Sequence, residues 1–99
     1  MSKDQAPRFL TKEAYTAALY KELTSTELAL INFTIYYHPD HVEYYRMFAC
    51  GEYTACWNYL MKHRDQLVLA NVPAERKSLA EHSIKSAKAM NLGKKDDNE

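Results

Sequence analysis

The chain has 99 residues, 46% of them hydrophobic, with 13 basic side chains balanced by 13 acidic ones, enough to bury roughly 60–70% of the unfolded surface in one domain without disulfides. Balanced charge removes the long-range field that draws a protein to a nucleic-acid backbone or an anionic membrane, so neither DNA nor a membrane is an expected partner. With only two glycines and three prolines the chain has few stopping points; each falls where a helix should end, and the expected fold class is all-α.

The opening residues 1–10 read as a polar arm. They contain no apolar signal segment, and no apolar run approaches the roughly 18 residues that span a bilayer, so a cytoplasmic protein is expected. Thr11 can cap a short first helix reaching about Leu19 or Tyr20, with Ala14, Ala17 and Ala18 as good helix formers. The next start is written more fully: the Thr24 side chain can accept a hydrogen bond from a first-turn amide while Glu27 reaches back to the Thr24 amide, so a helix opens at about Ser25. Leu28, Ile31 and Ile35, with Phe33 and Tyr36, give it a broad apolar face. Pro39 ends it, because the residue before a proline, His38, is pushed out of helical geometry; Asp40 can then cap the next segment.

From about His41 to Leu69 one long helix is expected, with Tyr45, Phe48, Ala49, Cys56, Trp57 and Leu60 near one stripe and Gly51 as a kink or a backbone contact point. Cys50 and Cys56 would then lie about 9 Å apart along the axis on different faces, as two reduced, buried thiols. Pro73 opens a last helix running to about Leu92, with Gly93 as its left-handed cap and 94–99 as a disordered tail. On that helix Ala80, Ser83 and Ala87 lie near Leu79, Ile84 and Met90. Such a small-sided stripe allows close helix approach, within one chain or between chains. Lys77, Glu81, Lys85 and Lys88 mark its solvated side. The expectation is a single helical domain over 11–93: a short N-terminal helix plus an antiparallel helical hairpin or small bundle that self-associates.

Little of this points to catalysis. His38, His41, Cys50 and Cys56 are the closest set of metal-ligating types, but their spacing is not that of paired zinc ligands, and no metal or cofactor is expected. Cys56 and His63 can be imagined as a nucleophile and base, yet no glycine-rich nucleophile turn, oxyanion segment or carboxylate pair accompanies them, so no enzyme is expected. The eight tyrosines suit interfaces and base stacking equally, and most would pack a ring on the core and leave the hydroxyl wet.

Tyr20-Lys21-Glu22-Leu23-Thr24-Ser25-Thr26-Glu27-Leu28-Ala29-Leu30-Ile31-Asn32 resembles the opening of a hairpin domain in small tailed-phage proteins that sponge cyclic-nucleotide immune signals, the anti-CBASS class. A weaker match, Arg76-Lys77-Ser78-Leu79-Ala80 and Ile84-Lys85-Ser86-Ala87, is similar to that domain's second arm. The two stretches cover about a quarter of the chain. The resemblance implies a helical homo-oligomer that binds cyclic di- or trinucleotides between subunits without catalysis, the motif tyrosine stacking on a base. That role would fall on Tyr20, and the phosphates would sit near Lys21, Arg76 or Lys77. The family also places a phosphate-contacting lysine fifteen positions after the tyrosine, where this chain has Ile35, and a Lys-Thr step where it has Glu81-His82. The rival expectation is a phage or mobile-element module that inhibits a host protein by docking a tyrosine-rich face on it.

Overall fold

The computed structural model describes residues 8–94. They form five α-helices: α1 Lys12–Glu22, α2 Ser25–Ile31, α3 Val42–Ala49, α4 Tyr53–Lys62 and α5 Lys77–Ala89. Among the described residues no helix is long and apolar enough to cross a membrane, and the one bridge between extended segments joins Thr24 to Lys94.

The start signals read from the sequence operate as local chemistry predicts. Thr11 accepts from the Ala14 amide at 3.1 Å, and α1 runs on to Glu22. At α2 the Thr24 hydroxyl accepts from the Glu27 amide at 3.2 Å while the Thr24 amide donates to Glu27 at 3.0 Å. Beyond Ile31 the helix widens into a π segment, Asn32–Tyr36, in which the buried Thr34 hydroxyl donates to the Leu30 carbonyl at 2.9 Å. Back-bonding of this kind competes with the regular helical ladder and bends it. His38 is extended (φ −78°, ψ 132°), as a residue before proline must be. The cap of the 3-10 turn Pro39–His41 is His38 itself, whose side chain accepts from the Asp40 amide. Asp40, expected to cap, lies inside that turn.

The expected long helix from 41 to 69 is two helices. Gly51 is not a kink but the left-handed residue (φ +80°) that ends α3, with Glu52 N–H bonded to Met47 O at 2.9 Å and Gly51 N–H to Phe48 O at 3.1 Å, the paired bonds of a Schellman cap. The chain doubles back there, so α3 and α4 form an antiparallel hairpin in which Phe48 meets Tyr53, and Tyr44 meets Cys56 and Tyr59. Cys56 is buried as expected, whereas Cys50, at the turn, is exposed. After α4 the chain proceeds through 3-10 turns at Arg64–Gln66, Leu69–Asn71 and Ala74–Arg76.

α5 ends earlier than expected. Asn91 (φ +58°), not Gly93, is its left-handed cap, with Leu92 N–H bonded to Ala87 O and Asn91 N–H to Lys88 O in a second Schellman pair. Gly93 (φ +73°) serves a close approach instead: a Cβ there would stand 2.6 Å from the Leu23 carbonyl oxygen and from Leu28 Cδ1. Around it Lys94 N–H donates to Leu23 O at 2.8 Å, Ser25 N–H donates to Lys94 O at 3.1 Å, and the Ser25 hydroxyl donates to Leu92 O. Lys94, expected to begin a free tail, is thus tied to the α1–α2 junction; 95–99 and 1–7 lie outside the described residues. The expected polar arm is not free at its end either, since Phe9 packs against Tyr15 and Trp57 at 5.8 and 5.2 Å between ring centroids and its amide donates to Thr54.

The π-extended α2 is the central element. Ile31 and Ile35 face the main core with Tyr15, Leu19, Tyr44, Cys56 and Leu60, and Leu30 and Phe33 face a second cluster with Val72, Ala80 and Ile84. α5 lies antiparallel to it, the end of α5 beside the start of α2. The small-sided stripe of α5 is therefore used inside the chain, Ala80 and Ala87 being buried there. Tyr15 and Tyr44 are also interior, hydroxyl to hydroxyl at 2.7 Å, and burial pushes the Tyr44 phenol up to about 12.

A second polar cluster joins the turn before α3 to the end of α4 and the turn after it. Tyr59 O–H lies 2.7 Å from His41 Nδ1, His41 Nε2 3.0 Å from Gln66 Oε1, and Gln66 Nε2 3.1 Å from His63 Nδ1. Because Gln66 Oε1 can only accept, His41 donates to it through Nε2, its Nδ1 meets the Tyr59 hydroxyl, and Gln66 Nε2 donates to His63 Nδ1. Burial, then neighbouring His41 and Lys62, hold the His63 pKa below its ordinary 6.5 against an opposing Asp65. The unfolded chain therefore takes up this proton at higher pH than the folded one, and the contribution is complete above about 6.5 and lost as pH falls through the lower folded value. Stability measured by urea melts is expected to decline on acidification through this window, and His63→Phe to flatten the decline; an unchanged slope in the variant refutes the assignment.

Candidate functional site

One end of α1, the outer side of α2 with its π segment, and a stripe of α5 enclose an open groove of about 970 Å³, at the upper end of the range for small-molecule sites, roughly 300–1,000 Å³. Tyr20 enters from α1. Tyr15 and Leu19 take the core-facing positions of that helix, and Tyr20, one residue on, is turned out to the groove and 44% exposed. The second wall is Asn32, Phe33, Tyr37 and His38, presented where α2 has widened. Arg76, Leu79, His82, Ser83 and Ser86 form the third, spaced three or four residues apart along one side of α5.

Among the described residues the lining carries one permanent cation, Arg76, two histidines, four hydroxyls, the amide of Asn32, three aromatic rings and no carboxylate. Arg76 is exposed and forms no ion pair with a described residue. Tyr37, Leu79 and Met90 along the rim are 73%, 57% and 63% exposed, an apolar edge of a kind that commonly marks interaction sites. Such a surface can receive a flat, unsaturated ring and an attached anion together.

Of the four residues singled out from the sequence, Tyr20 and Arg76 line this groove. Lys21 is exposed beside Tyr20 and Lys77 is half-buried at the start of α5, and neither belongs to the lining. Ile35, at the position of the resembled family's lysine, is wholly buried in the core, so that position offers nothing to a ligand. His82, noted in the sequence only for the lysine step it replaces, is part of the wall. Asn32 stood in the quoted motif without a role, and Phe33, Tyr37, Ser83 and Ser86 carried no sign of being site residues. The α5 members share a helical spacing that could have revealed them; the π-segment members could not be foreseen, because no local rule announces the widened turn.

Away from the groove, the side chains considered for catalysis and metal binding are differently employed. Cys56 is buried, burial first and Glu52 second raise its pKa to about 11, and its thiol points to the Tyr44 carbonyl at 3.9 Å. Thiolate, the nucleophilic form, is disfavoured there. His38 and His41 are ring neighbours at 5.7 Å, but Cys50 sits at the opposite end of α3.

Glu27, the motif's acidic residue, is a structural hub. Besides its capping role it accepts from Arg64 Nε at 3.0 Å and Nη2 at 2.9 Å, while Arg64 also reaches the Glu22 carboxylate at 3.0 Å and the Glu22 carbonyl at 3.2 Å. Burial acts to raise the Glu27 pKa, and the hydrogen bonds from Arg64 and the Thr24 amide more than offset it, leaving it below 4.5. This clamp sets the angle between α1 and α2, and with it where Tyr20 stands relative to Asn32.

Comparison of the chain with protein-family models, curated proteins and solved structures finds no match.

Proposed function

We propose that the groove binds a cyclic di- or trinucleotide and holds it without chemical change, so that the protein acts as a sponge for an immune signal of the CBASS type, in the cytoplasm of a phage-infected host. The observation that carries this reading is the joint presence of Tyr20 and Arg76 in a groove whose described lining residues include no carboxylate. A base stacked on Tyr20 gains about 1–3 kcal/mol, and a guanidinium suits a phosphate through paired, charge-assisted hydrogen bonds. Lys21 and Lys77 flank the groove and add to its positive field. In this reading two copies meet along the exposed rim of Tyr37, Leu79 and Met90, each closing the other's groove.

Isothermal titration with a panel of cyclic di- and trinucleotides, with chromatography of the recovered ligand, tests it. Binding with intact ligand returned is the expected result. Tyr20→Ala weakens affinity by about tenfold, and Arg76→Gln weakens it with a smaller salt dependence, both with unchanged melting temperature. Full affinity in Tyr20→Ala would remove Tyr20 from the site.

A second reading rests on a surface that shares Tyr37 with the groove's rim. Tyr36 is in edge contact with Tyr37 at 4.6 Å and Tyr45 at 5.3 Å, and the latter two are exposed, forming a tyrosine ledge suited to docking on a host protein. Absence of binding across the nucleotide panel, with a host protein retained by the wild type and released by Tyr37→Ala/Tyr45→Ala, would select it.

A further inference from the structure

Resting on the groove's assignment as a cyclic-nucleotide site, we infer that Asn32 reads the base and that the preferred ligand carries adenine. Asn32 is exposed at the junction where α2 passes into the π segment, and it lines the groove. Its side-chain amide bonds to none of the described residues, so its carbonyl oxygen and its N–H₂ are both available. The rings that can flank a base, Tyr20, Phe33 and Tyr37, line the same groove.

An asparagine amide presents one acceptor and one donor side by side, which matches the N6 amino donor and N7 acceptor of adenine in a two-point pair. Guanine offers two acceptors, O6 and N7, along the same edge, and the amide's oxygen would meet one of them. The guanine-reading side chain is arginine, and the groove has one, Arg76. In the proposed site Arg76 is engaged by phosphate, which leaves base selection to Asn32. Widened helical turns recur at functional sites because they re-aim side chains that a regular helix would carry elsewhere, and Asn32 is the first residue of this one.

The test is titration of cyclic di-AMP, cyclic di-GMP and cyclic di-UMP against the wild type, Asn32→Ala, Asn32→Asp and Arg76→Lys. The wild type is expected to favour cyclic di-AMP by at least about fivefold, the lower end of what one two-point base contact discriminates. Asn32→Ala removes that preference by weakening cyclic di-AMP alone. Asn32→Asp weakens every ligand, since a carboxylate has no proton for N7 and repels phosphate. Because Asn32 is exposed, a melting temperature unchanged in Asn32→Ala excludes a folding defect. Binding without base preference, or an adenine preference that survives Asn32→Ala, overturns the assignment of Asn32 and leaves the groove's function standing. A guanine preference that Arg76→Lys abolishes overturns it too, by moving base reading to Arg76. No binding of any of the three overturns the assignment of Asn32, and the function falls with it when the wider panel of cyclic di- and trinucleotides also fails to bind.

Discussion

Replacing Gly93 by alanine is expected to destabilise the protein by about 2–5 kcal/mol, the sum of a left-handed backbone penalty of roughly 1–2 kcal/mol and an overpacking cost of roughly 1–3 kcal/mol. The backbone penalty comes from φ +73°, and the overpacking from a Cβ placed 2.6 Å from both the Leu23 carbonyl oxygen and Leu28 Cδ1 and 3.0 Å from the Thr24 carbonyl carbon. The Leu23 oxygen cannot withdraw without loosening the 2.8 Å bond it accepts from Lys94, and moving Leu28 disturbs α2 at its first turn. Gly51 provides the control, because its φ is +80° but nothing lies within 4 Å of the Cβ position; alanine there should cost only about 1–2 kcal/mol. Thermal melts monitored by far-UV circular dichroism make the comparison, a loss of about 3 kcal/mol in a domain this size being roughly 12–24 °C. Equal melting temperatures for the two variants would show that the approach of residues 92–94 to the α1–α2 junction relaxes at no cost.

The second large effect belongs to Arg64. Arg64→Met removes four hydrogen bonds at once, two to the Glu27 carboxylate, one to the Glu22 carboxylate and one to the Glu22 carbonyl. Breaking a buried ion pair by deleting one partner costs about 3–5 kcal/mol. Here the side chains of Arg64, Glu22 and Glu27 are 31%, 44% and 21% exposed, so solvent screening reduces the expected loss to about 2–3 kcal/mol. Arg64→Lys should recover less than half of it, since one ammonium cannot reproduce a planar fork that meets Glu27 with two nitrogens. The double variant Arg64→Met/Glu27→Gln should lose less than the sum of the single changes, because each already breaks the same contact. Additive losses in urea melts would assign the two residues to independent roles. The same pair makes stability fall on acidification as pH passes down through the lowered Glu27 value, a window below that of His63.

What the sequence made legible was short-range. Thr11, Thr24 with Glu27, and His38-Pro39 each act on backbone groups within three residues, so their reading needs no tertiary knowledge, and the all-helical fold follows from them. Gly51 departs from its expected role because a glycine inside a long apolar stripe looks the same whether it bends a helix or ends one; Phe48 meeting Tyr53 decides the matter, and that contact exists only after the chain has turned. Gly93 yields its expected cap role to Asn91, because its real constraint, Leu23, lies far away in sequence. Arg64 gave no sign of partners 37 and 42 residues distant. Half of the candidate site was legible in the same way: Tyr20 and Arg76 stood in recognisable stretches, whereas Asn32, Phe33 and Tyr37 owe their position to a π turn that the ordinary helical period does not encode.

The knot of bonds joining Ser25 to Leu92 and Lys94 spans 67 residues between the Ser25 hydroxyl and the Leu92 carbonyl, whereas the thiol of Cys56 meets the Tyr44 carbonyl across only 12. Chain entropy orders these events in time: short loops close early and at little entropic expense, and distant ends meet late. The α3–α4 hairpin is therefore expected to close before the seam between α2 and α5 during folding. With α1 and α2 on one side of that seam and α5 on the other, the groove exists only once the seam has closed. Any molecule held in it touches both sides of that seam and so acts as a latch across it.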